Sequence, residues 1–139
     1  MYKATIRRMV RRNIAALGRG EIGPLLGSYA PDATLVFPGE SSWGGQHQGR
    51  PAIEAFLRRF VEVGLVGEPH EILVNGPPWK TLVCVLFTDR ATDQSGAVVY
   101  ENRAVLFARV VWGKIAYQED FEDTVKADQF DRYLGSQPG

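Results

Sequence analysis

An α+β fold is what this sequence predicts, on three observations. The long helical patterns fall within the first 63 residues, and after residue 69 the chain is almost wholly β-forming up to a short closing helix. Two long β-rich runs flank a tight turn at Trp112-Gly113-Lys114, which is a hairpin pattern. Helices first and an antiparallel meander afterwards is an α+β arrangement.

The first helix is expected over residues 3–17. At about 100° per residue, Ile6, Met9, Val10, Ile14 and Leu17 share one arc, and Arg7, Arg8, Arg11 and Arg12 the opposite, solvated one. Asn13 falls inside the apolar arc, so it either bonds to a loop at the helix edge or meets a ligand. Gly18 and Gly20 end this helix. A short second one is expected over 21–29, with Pro24 in its first turn. Pro31-Asp32 reads as a turn and 34–37 as a brief strand. Residues 38–49, PGESSWGGQHQG, read as a glycine-rich rim or lid loop. A third helix over 50–63 carries Ile53, Phe56, Leu57 and Phe60 on one stripe.

A four-stranded meander follows, with strands over 70–74 and 80–90 and then the hairpin of 97–123. On the first arm of that hairpin, one alternating set is Tyr100, Asn102, Ala104, Leu106, Ala108 and Val110. The other is Val99, Glu101, Arg103, Val105, Phe107, Arg109 and Val111. Both sets turn apolar in their second half, which predicts a strand covered on both faces. The return arm ends in Glu119, Asp120, Glu122 and Asp123. A closing helix over 126–134 completes one domain, residues 1–139, with 135–139 a frayed tail.

Composition excludes several classes of function. The chain has 139 residues, 45% hydrophobic and 23% charged, and its 16 basic and 16 acidic residues cancel. No net field therefore draws it to nucleic acid or to a membrane surface. Its longest apolar run, 82–87, is too short to span a bilayer. The opening MYKATIRRMVRRN lacks the apolar core of a secretory signal. Cys84, the single cysteine, excludes an intrachain disulfide, and a cytoplasmic location is expected. The two histidines lie far apart in unlike contexts, so neither a metal nor another cofactor is expected.

Three segments together resemble a known family: SYAPDATLVFPG, HQGRPAIEAFLRRF and WGKIAYQEDFEDT. Over about residues 5–134 the chain is similar to the nuclear transport factor 2-like fold, and within it to the SnoaL-like group. The resemblance implies a cone-shaped, cystatin-like α+β barrel. In it a curved antiparallel sheet wraps around the N-terminal helices and encloses a pocket. Members commonly dimerise through the outer sheet face. A homodimer is expected here, with Val83, Val85, Phe87, Val99, Val105, Phe107 and Val111 on that face.

The group's activities carry over unevenly. Ketosteroid isomerases place a carboxylate base where Phe37 stands and an oxyanion-hole tyrosine where Asn13 stands. Their protonated acid falls near Ala104–Leu106, which is apolar. A phenylalanine takes no proton, so that chemistry is not expected. Limonene-type epoxide hydrolases match at Asp120. Their Arg/Asp pair falls near Leu86 and Thr88, and their water-holding Tyr and Asn fall on Leu35 and Phe37. Asp89 alternates to the other face from Thr88. SnoaL-type cyclases, which use one Asp as acid/base, also match at Asp120, but their assisting His falls near Leu106.

Asp120 is thus the expected acid/base, unless it pairs with a cation such as Arg90 or closes the strand at the rim. A carboxylate in an apolar cone has a raised pKa, which suits proton transfer near neutral pH. Phe37, Leu86, Thr88, Ala104 and Leu106 are expected to line the pocket. Tyr100 and Asn102 share the inward phase and are candidates to orient a carbonyl. Trp43 and His47 are candidates on the glycine-rich loop, as lid and as rim acid/base, or else a staple and a solvent-facing histidine. Asp123 is expected to cap the last helix. The expected ligand is a small hydrophobic molecule. An enzyme of cyclase, isomerase or dehydratase type, a non-catalytic carrier and a protein-assembly module remain the three readings.

Overall fold

The helical half of the chain folds as its periodicity predicts. The computed structural model describes residues 1–138. Its first helices are α1 (Tyr2–Gly18), α2 (Gly23–Ser28) and α3 (Arg50–Glu62). The buried residues of α1 are Ile6, Asn13 and Ala16, and those of α3 are Ile53, Phe56 and Leu57. One stripe of each helix therefore faces the sheet. Arg7 leaves the solvated arc: its Nε donates to the Ile72 carbonyl at 3.3 Å, tying α1 to a sheet edge. No helix among the described residues is long and apolar enough to cross a membrane.

The sheet has six strands: β1 (Tyr29–Phe37), β2 (Gly45–Gln48), β3 (Leu65–Asn75), β4 (Thr81–Thr92), β5 (Val98–Val111) and β6 (Lys114–Glu122). Their order is β2-β1-β6-β5-β4-β3. β1 runs parallel to β6, and every other neighbouring pair is antiparallel. The expected meander is β3–β6; β1 and β2 extend it by two strands. The sheet curls without closing, with α1 against β3 and α3 against β1.

Several boundaries differ from the sequence expectation. Pro31 and Asp32 lie inside β1, where the pairing to β6 shifts register between Tyr29 and Thr34. A proline with no N–H is tolerated at such an irregularity. Part of the glycine-rich stretch is strand, since Leu35 pairs with His47 across β1 and β2. A Cβ on Gly44 would sit 2.2 Å from the Gly39 carbonyl oxygen, so only glycine lets this loop fold back on itself. β3 starts at Leu65, five residues early, with its irregularity at Pro69. The last helix, α4 (Thr124–Ser136), takes in the first two residues of the expected tail. Asp123 caps it as expected, accepting from the N–H of Val125 at 2.9 Å and of Lys126 at 3.4 Å.

The β5–β6 hairpin turns on Trp112 and Gly113, both at positive φ (49° and 81°), as a two-residue turn of this twist requires. Trp112 is held there by its N–H bond to the Pro78 carbonyl at 2.8 Å and by its packing on Trp79. On β5, Tyr100, Asn102, Ala104, Ala108 and Val110 are buried on the inner face, as alternation predicts.

On β4 the expected phase is reversed. Leu86, expected in the pocket, is 40% exposed on the outer face, and Thr88 bonds to His70 there. Val83 and Val85, expected on the dimer face, are buried in the core, and Phe87 follows them inward. Register is the physical reason: directly paired residues share a face, and Val85, Phe87 and Asp89 pair with Leu106, Ala104 and Asn102. The outer face instead carries the in-register row Leu86, Val105 and Phe121.

Candidate functional site

Between the helices and the concave sheet lies a cavity of about 110 Å³. Met9, Ile14, Leu35, Phe37, Phe56 and Leu106 contribute to an apolar wall broken by few polar side chains, among them Asn13, Asp89, Gln118 and Asp120. Drug-sized ligand pockets run to roughly 300–1,000 Å³. This one is nearer the engineered cavity of about 150 Å³ that holds benzene. Its occupant is limited to about one small ring.

Asp120 sits on the inner face of β6, opposite Leu106 on β5, and is 8% exposed. Its Oδ1 accepts one hydrogen bond, from Gln118 Nε2 at 3.1 Å. Gln118 is itself oriented, because its Oε1 accepts from the buried Tyr29 hydroxyl. Burial pushes the Asp120 carboxyl up to about 7; the Gln118 bond pulls the other way, and Glu122 and Glu119 add to the rise. Arg90, the alternative partner considered from sequence, pairs with Glu101 outside the cone.

A second carboxylate faces the same cavity. Asp89 on β4 is 6% exposed, and its Oδ1 is buried with no hydrogen-bond partner among the described residues. Burial, then the charges of Glu122 and Asp120, hold its carboxyl well above the usual carboxylate range. Gly67 pairs with it across β3 and β4, and a Cβ at Gly67 would lie 3.4 Å from Asp89 Oδ1. The missing side chain leaves that oxygen room. Sequence reading did not place Asp89 here, because with Thr88 assigned to the pocket the alternation of the strand sends Asp89 to the other face.

Glu122, two residues beyond Asp120 on the same face, is bonded differently. Its Oε2 accepts from the Tyr100 hydroxyl at 2.6 Å and from Asn102 Nδ2 at 2.7 Å. Asn102 also donates to the Asp123 carbonyl at 3.0 Å, and Tyr100 stacks on Phe130 of α4. Burial raises the Glu122 carboxyl, and the two donors offset part of that rise. Tyr100 and Asn102 thus point inward, as alternation predicts, but their donors serve Glu122. Ala104 is buried beneath this group and lines neither cavity.

Asn13 is bonded to α2 and also lines the cavity. Its Nδ2 donates to Ser28 Oγ at 2.9 Å, and Ser28 in turn donates to the Pro24 carbonyl. That leaves Asn13 Oδ1 buried, without a partner among the described residues, on a side chain that lines the cavity. It is an acceptor suited to a ligand hydroxyl. His47 bonds to the Trp43 carbonyl at 3.0 Å, packs on Phe56 and lines neither cavity. Trp43 is buried at 3% exposure, with the Arg59 guanidinium 3.9 Å above its ring. Ser42, beside it, is bonded to Asp131 of α4 by its N–H and its hydroxyl, which pins the loop. Among the described residues no three His, Cys, Asp or Glu side chains could share a metal ion.

Comparisons with known proteins agree with this fold. The profile of the SnoaL-like domain family matches residues 10–118. No curated protein matches the sequence significantly. Among solved structures, Bal32a from a soil-derived mobile gene cassette is 20% identical with a TM-score of 0.79, covering 94% of this chain and 98% of that one. TerC co-crystallised with polyporic acid is 25% identical with a TM-score of 0.74, covering 90% and 96%. An NTF2-like protein of unknown function from Burkholderia pseudomallei is 24% identical with a TM-score of 0.73, covering 87% and 92%.

Proposed function

Because this chain belongs to the SnoaL-like domain family, whose fold hosts unlike activities, we propose its function from the site: acid/base catalysis on a small apolar carbonyl compound, with Asp120 moving the proton. One observation carries the reading. Asp120 opens from the inner face of β6 onto an apolar cavity and accepts a single hydrogen bond. With its carboxyl up at about 7, it can take and return a proton near neutral pH. Asn13 Oδ1 is placed to receive a hydroxyl or enol of the same molecule. The TerC structure, co-crystallised with polyporic acid, supports a ligand-holding reading of the cone.

Exchange of the α-hydrogens of cyclohexanone in D2O, followed by NMR, tests the reading with a ring of the right size. The expected result is catalysed exchange that falls roughly a hundredfold to ten-thousandfold in Asp120→Asn, the usual worth of a general base. Saturable binding of the ketone without exchange would favour the carrier reading.

We also propose that two copies of the chain pair through the outer sheet face. The exposed row Leu86, Val105 and Phe121 supports this, since a contiguous apolar patch marks an interaction surface. Light scattering is expected to give a dimer at micromolar concentration and a monomer for Val105→Glu. A wild-type monomer would remove the proposal.

A further inference from the structure

The main cavity is acidic and its wall carries no counter-charge. Asp89 and Asp120 line it, and Glu122 borders the chamber of about 20 Å³ that lies beside it under α4. No lysine, arginine or histidine among the described residues lines either space. Arg90, next to Asp89 in the chain, pairs instead with Glu101 outside the cone. Buried carboxylates are ordinarily held by a cation or by several donors. Glu122 has its donors, whereas Asp89 Oδ1 has no partner among the described residues. The rest of the polar wall is short of acceptor partners too. Asn13 Nδ2 donates to Ser28, Gln118 Nε2 to Asp120 and the Tyr29 hydroxyl to Gln118. The wall's unpartnered polar atoms are both oxygens, Asn13 Oδ1 and Asp89 Oδ1, on side chains 2% and 6% exposed. Phe37, Phe56, Phe60 and Phe87 supply aromatic rings, whose faces attract a cation. An ammonium group has donors and no acceptor, which matches such a wall.

We propose that the cavity takes a small ring bearing a protonated amine, with Asp89 as its counter-ion. This ligand class deepens the acid/base reading and rests on it for the choice of cavity. Asn13 Oδ1 stays free for a hydroxyl or enol on the same ring. Without a cation beside it, Asp89 is a neutral acid, held so by burial and by Glu122 and Asp120 of β6. Tyr29 of β1 and Tyr100 of β5 are the remaining titratable side chains on the two spaces, and burial keeps both neutral. An alkylammonium reverses the balance at Asp89. The carboxyl O–H bond breaks, its electron pair stays on the oxygen, and the proton leaves to solvent while the amine keeps its own. Binding therefore releases a proton, and it tightens with rising pH wherever free Asp89 is protonated.

Isothermal titration calorimetry of the intact protein with cyclohexylamine and with cyclohexanol, a neutral ring of like size, tests this. Expected at pH 7 is about tenfold or tighter binding of the amine, as a hydrogen bond to a charged group supplies. Its heats in phosphate and in HEPES should differ by the ionisation of roughly one proton per molecule bound. Asp89→Asn is expected to abolish the proton release and most of the preference for the amine. Asp120→Asn is expected to lose cyclohexanone exchange and keep that preference. Amine bound no tighter than alcohol, binding without proton release, or a preference unchanged in Asp89→Asn would each overturn the amine site. None of these touches wild-type cyclohexanone exchange, which carries the Asp120 reading. An amine preference in a wild type that catalyses no exchange would overturn the Asp120 reading alone.

Discussion

Asp120 and Glu122 lie two residues apart on one strand and one face, yet their surroundings divide them. Both are carried into the cone by the same alternation, and burial raises both carboxyls. Glu122 meets two donors, Tyr100 and Asn102, beneath α4, and is thereby tied into the wall. Asp120 meets one, the Gln118 amide, and otherwise faces apolar surface and the cavity. Desolvation alone makes a carboxylate unusual; what makes it available is how few donors it has been given. Asp89, whose Oδ1 has none among the described residues, stands furthest along the same scale.

The largest expected effect that would break this comparison is on stability against pH. The folded pKa of Asp120, about 7, lies above its unfolded value, and those of Asp89 and Glu122 are shifted the same way. The native state therefore binds more protons than the unfolded chain between about pH 4 and 7, and stability is lost as pH rises through that window. Thermal melts should show this fall, and Asp120→Asn should flatten it, gaining up to a few kcal/mol at pH 8. A wild type more stable at pH 8 than at pH 5 would contradict the buried placement.

Next in size is Asn102→Ala. It strips a donor from Glu122 and leaves the Asp123 carbonyl short of its partner. Urea unfolding should register a loss of about 1–3 kcal/mol, the cost of buried polar groups left unpaired. A change below about 0.5 kcal/mol would mean that Glu122 is not held as described. The smallest effect concerns Gln118→Leu. Removing the bond that lowers the Asp120 pKa should move the acid-side midpoint of cyclohexanone exchange, where the base loses its charge, upward by roughly one unit. A downward move would place Gln118 outside the electrostatics of Asp120.

Helices, the hairpin, the cap at Asp123 and the inward phase of β5 were legible because each rests on local chemistry: a 3.6-residue stripe, a turn, an exposed amide donor, a two-residue alternation. β4 was not. Its run Leu82–Phe87 is apolar at every position, so neither phase is marked, and assigning Thr88 to the pocket sent Asp89 to the wrong face. β1 and β2 were only partly legible, because a proline and a glycine-rich stretch read as breaks that pairing partners override.

By itself, the sequence determined the fold class, since amphipathic period and segment pattern are properties of neighbours along the chain, and its resemblance to the family singled out Asp120 from the acidic cluster. Only the tertiary structure decided that Asp89 shares the cavity, that Leu86 and Thr88 face away from it, and that Tyr100 and Asn102 serve Glu122. Each of those facts depends on cross-strand register, and register joins residues that are distant in the chain.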